Sequence, residues 1–502
     1  MSGAITILGA GVAGLCAATE LAARGAEVQI IDPSGGPGDH GCSWWAGGML
    51  APDCEGETAP EPVVRLGRAA ADWWLHKSLQ ALTAQIAGIG GSMTLIRGRA
   101  LTDILKLAAT TGAAEVYWNR VEWPWIDARD CEIADALKAA GVRPRAFRIA
   151  TLTDPATLMT GSGSPYKVFT PFWRAAQAAL APRMPLPAPD RLHAAPAPDG
   201  DSLESWNLLP DAPDWASGFP DRWTPGEASA HRVLERFTCE ALDAYPDARD
   251  RPDLFGTSRL SPHLGWGEIS ARTVWHRVRL QADRGGMGKP VEKYLSEIGW
   301  RDFAYYLVHH FGDIRAASFN AQFDHFPWRD DPVSLRAWQA GRTGIPTVDA
   351  AMRELWHTGW MHNRTRMIAA SYLVKHIGVH WQAGMRWFED TLVDADPVVN
   401  AASWQWVAGS GADAAPYFRI FNPATQGAKF DPDGAYVRRW VPELAGLQTR
   451  NIHAPWAAKD GELARNRVTL GETYPRPVVD LAEGRASALA AYQHMKSGNG
   501  AD

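Results

Sequence analysis

Three side chains with complementary chemistry fall within one helical turn of the segment SEIGWRDFAYYLVHHF, residues 296–311: Glu297, Trp300 and Arg301. Positions three and four residues apart lie on the same face of a helix. A carboxylate, an indole and a guanidinium on one face could stack on a nucleobase while hydrogen-bonding its polar edge. The alternative is local, an ion pair between Glu297 and Arg301 beside a tryptophan of the core.

The segment GTSRLSPHLGWGEIS, residues 256–270, has the composition of a phosphate-binding helix start. Ser261 followed by Pro262 is typical of the N-cap and first-turn positions of a helix. Free backbone amides and hydroxyl groups at such a position can hold a phosphate. The same residues are equally compatible with an ordinary capped helix.

Two further segments combine opposite charges, TGWMHNRTRMIAASYLVKH at 358–376 and DADPVVNAASWQW at 394–406. Arg366 and Asp394 could form a bidentate ion pair, and such a pair is usually buried beside a polar cofactor. Asp394 and Asp396 alone provide too few ligands to indicate a divalent metal. The five cysteines are scattered without C-x-x-C pairing, which predicts neither a zinc site nor a disulfide framework. We therefore predict no metal.

The first 32 residues predict a strand, a glycine-rich turn, a helix and a second strand. Gly9, Gly11 and Gly14 form a G-x-G-x-x-G loop, and Asp32 follows 23 positions after the first glycine. In a βαβ unit such glycines let a helix N-terminus approach a pyrophosphate, and the acid can hold a ribose hydroxyl. This loop is a second possible dinucleotide site.

The length of the chain predicts more than one domain to position these residues, because 502 residues exceed what one hydrophobic core supports. Alternating helices and strands near the N-terminus predict a Rossmann-like α/β region. Helical periodicity dominates beyond about residue 225 and predicts an all-α region. Between them, residues 183–222 are rich in Pro, Ala and Asp and poor in periodicity, which is typical of a linker.

Composition narrows the setting in which the protein works. The chain has 46% apolar residues and no apolar run near the roughly 18 residues of a membrane span. The opening MSGAITILGAG lacks a basic leader, so we expect a cytoplasmic protein that does not contact membranes. A formal net charge of −6 argues against indiscriminate nucleic-acid binding but leaves room for a local basic groove.

The helical half resembles the class I DNA photolyases of the photolyase/cryptochrome family almost continuously from Tyr245 to Phe430. The resemblance includes the motifs at 256–270, 296–311, 358–376 and 394–406. The resemblance extends over about residues 71–490. It implies an all-α FAD-binding domain and light-dependent repair of cyclobutane pyrimidine dimers, driven by electron transfer from excited reduced FAD. The implied partner is damaged DNA, and the expected state is a monomer.

The resemblance also implies roles for individual residues. The set around FAD comprises Tyr245, Thr257, Ser258, Arg259, Leu260, Ser261, Asn363, Arg366, Asp394, Asp396 and Asn400. The set that contacts the dimer or the DNA comprises Arg249, Glu297, Trp300, Arg301, Asn363, Met367, Trp406, Gln426 and Lys429. An electron relay would run through Trp404, Trp381 and Trp328, which are 23 and 53 residues apart as in the family, and Glu297 and Asn400 complete the catalytic set.

Three positions bear on the lesion and the pigment. Asn400 matches the residue that faces flavin N5 in repair enzymes, which favours repair over sensing. The segment 361–364 carries one histidine, whereas enzymes for (6-4) photoproducts carry a pair there, so cyclobutane dimers are the expected lesion. Trp125 and Ile126 stand where a folate-binding photolyase has an Asn-Glu pair, which makes a folate antenna doubtful and leaves a deazaflavin or no pigment open.

Residues 1–74 resemble the N-terminus of a glycine oxidase or D-amino-acid oxidase. The predicted domains are this oxidase-like βαβ fragment, an antenna-like α/β domain at 75–182 without its usual first strand, the linker at 183–222, the helical FAD-binding domain at 223–475 and a tail at 476–502. The oxidase-like piece could replace the missing strand.

Three other functions stay open at this stage. A cryptochrome-type photoreceptor would share the FAD domain without repairing DNA. An amine oxidase would use the GAGVAG loop. An inactive chimera would result if the exchanged N-terminus prevented correct folding.

Overall fold

The computed structural model describes residues 5–8, 28–33, 61–121, 123–148, 150–192, 197–210, 214–414 and 419–498. These residues form two compact units. The first unit comprises residues 1–243, 258–313 and 393–397, and the second comprises 244–257, 314–392 and 398–502. Of the predicted dinucleotide loop, Gly9, Gly11 and Gly14 lie outside the described residues, whereas Asp32 belongs to a strand.

A parallel five-stranded sheet forms the N-terminal part of the first unit, in the order β3-β2-β1-β4-β5. Its strands are β1 Ile5–Leu8, β2 Val28–Pro33, β3 Met93–Ile96, β4 Glu115–Arg120 and β5 Arg143–Arg148. β1 lies in the centre, where Ile7 is in register with Ile30 of β2 and with Tyr117 of β4. The apolar run ITIL suits this place, because central parallel strands are buried on both faces.

Among the described residues, the helices α1 Glu61–Gly88, α2 Ala100–Thr111, α3 Pro124–Ala139 and α4 Phe169–Ala179 accompany the sheet. Ile104 and Leu107 of α2 and Leu137 of α3 pack with Val116 of β4 in one apolar cluster. The boundary predicted at residue 74 falls inside α1. The predicted linker contains the short helix Leu203–Trp206.

The first unit also contains the helices α5 Glu227–Glu240, α7 Ser261–Gly265, α8 Ala271–Gly285 and α9 Gly288–Phe311. α9 lies close to α4, since a Cβ atom at Gly299 would stand 2.5 Å from the Trp173 ring. The buried Asp302 carboxylate accepts the backbone N–H groups of Leu152 and Thr153 at 2.9 Å each and so holds that segment on α9. Burial raises the pKa of Asp302 to about 6.

The second unit is helical. Its helices are α6 Tyr245–Ala248, α10 Pro332–Gln339, α11 Pro346–Thr358, α12 Asn363–Ser371, α13 Trp381–Thr391, α14 Pro397–Ala408, α15 Pro423–Phe430, α16 Ala435–Trp440, α17 Thr449–Ile452, α18 Asp460–Arg465 and α19 Leu481–Gly498. Short 3₁₀ segments occur at Ala321–His325, Pro442–Leu444 and Pro455–Ala457.

A π-helix, Tyr372–Ile377, continues α12. α19 packs directly on it, because a Cβ atom at Gly484 would lie 3.0 Å from the His376 carbonyl oxygen. α19 therefore occupies most of the stretch that was assigned to a tail. Within the described ranges no helix is both long and apolar enough to cross a membrane.

The central place of β1 predicts a specific sensitivity to proline. The change Ile7→Pro removes the residue's backbone N–H, so that the parallel ladder loses a hydrogen bond, which costs about 1–3 kcal/mol. We expect urea unfolding to show a loss of that size, while the control Ile7→Val, which keeps the N–H, stays close to the parent protein. Equal stability of the two variants would show that residues 5–8 are not paired in the sheet.

Candidate functional site

A strained loop precedes α7. Arg259 has a φ of 54°, a left-handed conformation that costs a non-glycine residue about 1–2 kcal/mol. Ser258 stabilises the loop, because its Oγ accepts the N–H of Leu260 at 3.4 Å and the hydroxyl of Tyr294 at 3.0 Å. Burial raises the pKa of Tyr294 to about 12, so the phenol remains a donor. Strain that the surroundings maintain in this way is typical of ligand sites.

The segment 393–397 places the two predicted aspartates beside α9 within the first unit. Asp394 is buried with 9% exposure. Asp396 accepts the hydroxyl of Tyr305 at 2.9 Å and lies 3.8 Å from an Nη atom of Arg301. Burial, followed by the charge of Asp396, raises the pKa of Tyr305, which keeps this donor protonated. The carboxylate of Asp396 is therefore fixed in orientation.

The face of α9 that carries Glu297, Trp300 and Arg301 shows other ion pairs than the local pair of Glu297 with Arg301. Glu297 pairs with Lys293 at 3.4 Å, one turn earlier, while Arg301 pairs with Asp396 and donates to the Ala150 carbonyl. Trp300 is half-buried and stacks on Phe169, with ring centroids 3.8 Å apart and planes 9° from parallel. Phe169 thus supports one side of the indole that was predicted to stack on a base.

In the second unit, the start of α12 holds the M-H-N-R motif. The Nδ1 atom of His362 accepts the N–H of Arg364 at 3.2 Å and caps the helix. Asn363 is exposed, and the Nε–H of Arg366 donates to the Met361 carbonyl at 2.7 Å. The predicted ion pair of Arg366 with Asp394 joins residues of different units and stays a prediction.

α14 carries Asn400, Trp404 and Trp406. The Asn400 amide donates to the Met385 carbonyl at 3.0 Å, which fixes the orientation of a half-buried amide. Trp406 is half-buried, as are Met367 on α12 and Gln426 on α15.

The three tryptophans of the predicted relay all lie in the second unit and differ in burial. Trp381 and Trp404 are 0% and 2% exposed, whereas Trp328 is half-buried. Trp404 packs against Phe388 at 5.0 Å between ring centroids, and a Cβ atom at Gly384 would lie 2.1 Å from its indole. Burial thus increases from Trp328 to the other two, as expected for a path from the surface to the interior.

A basic cluster in the second unit contains a residue that the sequence analysis missed. Arg364 pairs with Asp250 at 2.8 Å, and its guanidinium lies 4.3 Å from the Phe430 ring centroid. Asp250 also lies 3.8 Å from Arg249, and Lys429 lies 5.0 Å from the same Phe430 ring. Two arginines thus share the Asp250 carboxylate, and Arg364 and Lys429 share the Phe430 ring. The sequence motif M-H-N-R already contained Arg364, but its pairing with Asp250 depends on the tertiary structure.

Comparison with known proteins identifies the fold. The model of the FAD binding domain of DNA photolyase matches residues 294–494, and the DNA photolyase model matches residues 49–190. A deoxyribodipyrimidine photo-lyase of Agrobacterium fabrum is 48% identical over 428 residues, which cover 85% of this chain and 89% of that protein. The chain belongs to the photolyase/cryptochrome family. Its helical FAD-binding domain is therefore confirmed.

Both cryptochromes and photolyases of this family are similar to the chain. Cryptochrome-1 of Arabidopsis thaliana is 34% identical over 474 residues, which cover 89% of this chain and 66% of that protein. The crystal structure of a bacterial class III photolyase from Agrobacterium tumefaciens superposes with a TM-score of 0.89 at 42% identity and covers 99% of this chain and 98% of that one.

The N-terminus matches a different family model. The model of the NAD(P)-binding Rossmann-like domain covers residues 7–51. This match agrees with the dinucleotide-binding pattern predicted from the glycines. It does not reach the narrower resemblance to glycine oxidase, which stays a hypothesis.

The contact between Gly384 and Trp404 gives a prediction. The change Gly384→Ala places a methyl group inside the van der Waals radius of the indole, and such overpacking costs about 1–3 kcal/mol. We expect a lower melting temperature and an altered near-ultraviolet circular dichroism signal from the displaced tryptophan. Gly461→Ala is the matched control, because its nearest neighbouring atom is 3.8 Å away. Parent-like stability and near-ultraviolet signal in Gly384→Ala would contradict this packing.

Proposed function

We propose that this protein repairs cyclobutane pyrimidine dimers in DNA, using light and bound FAD. The observation that carries the proposal is the 48% identity to a deoxyribodipyrimidine photo-lyase over most of both chains, against 34% to a cryptochrome. The side chains predicted for repair are compatible with it, since a supported indole and a carboxylate share one face of α9.

The subclass differs from the one expected. The sequence motifs resemble class I photolyases, but the structural relative at 42% identity is named a class III photolyase. That likeness extends over nearly the whole of both chains, so we favour class III.

The residues of the chain fit FAD. Backbone amides and hydroxyl groups at a helix start can hold a diphosphate, and the loop from Ser258 to Ser261 leads into α7 with Arg259 in a left-handed conformation. A flavin ring needs polar groups of fixed orientation, as Asp396 and Asn400 are. When bound, reduced and excited by light, FAD supplies the single electron that splits the dimer. The further residues that would hold it are Tyr245, Thr257, Asn363, Arg366 and Asp394.

The chain itself would bind and orient the lesion. Damaged stacking lowers the cost of extruding the dimer from the duplex. Trp300 would stack on the extruded dimer while Phe169 holds the indole from its other side. Glu297 would hydrogen-bond the polar edge of the dimer. Arg249 shares Asp250 with Arg364, and Lys429 contacts the same Phe430 ring as Arg364. Arg249 and Lys429 would bind phosphates of the damaged strand, because both side chains are cationic.

The domain arrangement follows from the same proposal. We assign residues 75–182 to an antenna-like domain and 223–475 to catalysis, with 183–222 between them. In this arrangement the oxidase-like N-terminus supplies β1 and β2 in place of the missing first strand. The proposed active form is a monomer, and its antenna pigment is left open between a deazaflavin and none.

A photoreceptor without repair activity is the second candidate, because the similarity to Cryptochrome-1 covers 89% of this chain. A repair assay separates the two. Purified protein with reduced FAD is mixed with an oligonucleotide that carries one thymine dimer, under blue light and in darkness. Repair only in the light supports a photolyase. Equal inertness in both conditions, with flavin bound, supports the photoreceptor.

Trp300 gives the sharpest test of lesion binding. Stacking of a base on an aromatic side chain contributes about 1–3 kcal/mol, so Trp300→Ala should weaken binding to dimer-containing DNA by about 5- to 150-fold. Trp300→Phe, which keeps a smaller ring on Phe169, should retain much of the affinity. Binding is measured by fluorescence anisotropy. Equal affinity of the parent and the alanine variant would remove Trp300 from the proposed site.

The relay makes a separate prediction. Trp328→Phe removes the indole at the exposed end, because phenylalanine is much harder to oxidise. We expect slower photoreduction of bound oxidised FAD with a thiol as donor, while protein reduced beforehand with dithionite repairs dimers at the parent rate. Phe326→Leu, beside Trp328 at 4.5 Å between centroids, is the control for local packing. Photoreduction at the parent rate in Trp328→Phe would exclude this relay.

A further inference from the structure

A histidine lies between two of the relay tryptophans. The ring centroid of His380 is 4.9 Å from that of Trp328, with planes at 64°, and 5.6 Å from that of Trp381, with planes at 30°. His380 thus contacts both indoles, one on each of two segments that are far apart in sequence.

Backbone contacts hold the two segments together at this point. The N–H of Arg329, next to Trp328, donates to the Gly378 carbonyl at 2.8 Å, and Arg329 forms a parallel bridge with Val379. His380 follows Val379 directly and begins α13. The spacing of the two indoles is therefore set by the segment that carries the histidine.

The imidazole is tied by one of its nitrogens. Its Nδ1 atom accepts the N–H of Gln382 at 3.2 Å and caps α13. Since an accepting nitrogen carries no proton, the ring is neutral in this arrangement and its proton resides on Nε2. Burial and then the charge of Arg386 lower the pKa of His380, whereas Asp324 of the 3₁₀ segment raises it. The segment that follows Trp328 also carries the charged residues Arg329, Asp330 and Asp331.

The indole N–H groups of the two tryptophans have no partner among the described residues of the protein. Within the part of the chain that the structure describes, the Nε1 atoms of Trp328 and Trp381 have no hydrogen-bond acceptor. When it first forms, an oxidised indole carries a positive charge. A second positive charge on the neighbouring imidazole would oppose that state.

We propose that His380 is a positioning residue of the tryptophan relay, which fills the gap between Trp381 and Trp328 as a neutral ring. One electron moves from Trp328 to oxidised Trp381, so that Trp381 is restored and Trp328 is oxidised. A thiol in solution then returns one electron to Trp328. The inference rests on the proposed relay. It adds His380, whose ring contacts both Trp328 and Trp381.

Two substitutions separate the ring from the helix cap. His380→Asn keeps a side-chain acceptor for the Gln382 N–H, because asparagine is a favourable N-cap residue, but it removes the ring. His380→Phe keeps a ring and removes both the cap and the titrating nitrogen. If His380 only caps the helix, the asparagine variant behaves like the parent protein and the phenylalanine variant is impaired. If the ring matters, the order is reversed.

The experiment uses FAD-loaded protein and follows the yield of oxidised tryptophan by transient absorption after a blue flash, from pH 5 to pH 8.5. We expect His380→Asn to lose most of the yield at every pH, while its melting temperature stays near that of the parent. His380→Phe should keep the yield. A parent-like yield in His380→Asn would overturn the proposal.

The pH profile provides a second readout. A unit charge about 5 Å from an oxidised indole disfavours its formation by about fourfold even with the screening of water. Since the pKa of His380 lies below its ordinary value, we expect the parent yield to be constant from pH 7 to 8.5 and to fall at least about fourfold once the imidazole is protonated. His380→Phe should lack this decline. The same decline in both proteins would assign it to another group and contradict the proposal.

Failure of this inference can be told from failure of the proposed function. Repair by dithionite-reduced protein does not need the relay, so all His380 variants should repair dimers in that state. Absence of repair in the reduced parent protein would refute the proposed function. Unchanged photoreduction in Trp328→Phe would refute the relay and with it the role of His380.

Discussion

The first unit depends on the close approach of helix Gly288–Phe311 to helix Phe169–Ala179, which only a residue without a side chain at Gly299 permits. Along the same helix, Asp302 binds the backbone of residues 152 and 153, and Tyr305 orients Asp396. Trp300 stacks on Phe169 because that approach brings the two rings together. One helix therefore combines the apolar packing of the unit with most of its proposed lesion-binding groups.

Burial of polar groups has consequences for their chemistry. Tyr294 and Tyr305 are both surrounded by protein, which raises their pKa values and keeps them as donors to Ser258 and Asp396. Lys375 of the π-helix is also buried, and its pKa is lowered to about 7 because an ammonium loses hydration there. Burial therefore keeps the two tyrosines protonated as hydrogen-bond donors, whereas it disfavours the charged form of the lysine.

The second unit solves a different problem, the packing of large indoles. Trp404 fits because residue 384 is a glycine, and Trp338 donates its N–H to the Ala369 carbonyl at 3.0 Å. The indoles of Trp328 and Trp381 contribute apolar surface without such a bond. Packing holds these two rings instead, with Phe326 against Trp328 and His380 against both.

The amino-acid sequence by itself determined the α/β region near the N-terminus and the helical region that follows it, because periodicity is a local property of a chain. The resemblance of its motifs to photolyases added that the helical region binds FAD. It also indicated the motif residues around Ser258, Trp300 and Asn400, because the residues of each motif are close together in the sequence.

Only the tertiary structure decided the partners of those residues. Local spacing suggested a pair of Glu297 with Arg301, but the structure shows Lys293 and Asp396 as partners, because residues 393–397 approach the helix from elsewhere in the sequence. The same holds for Arg364 with Asp250 and for His380 with Trp328. Contacts between distant segments follow from how helices pack, and no local pattern of residues encodes which side chains then meet.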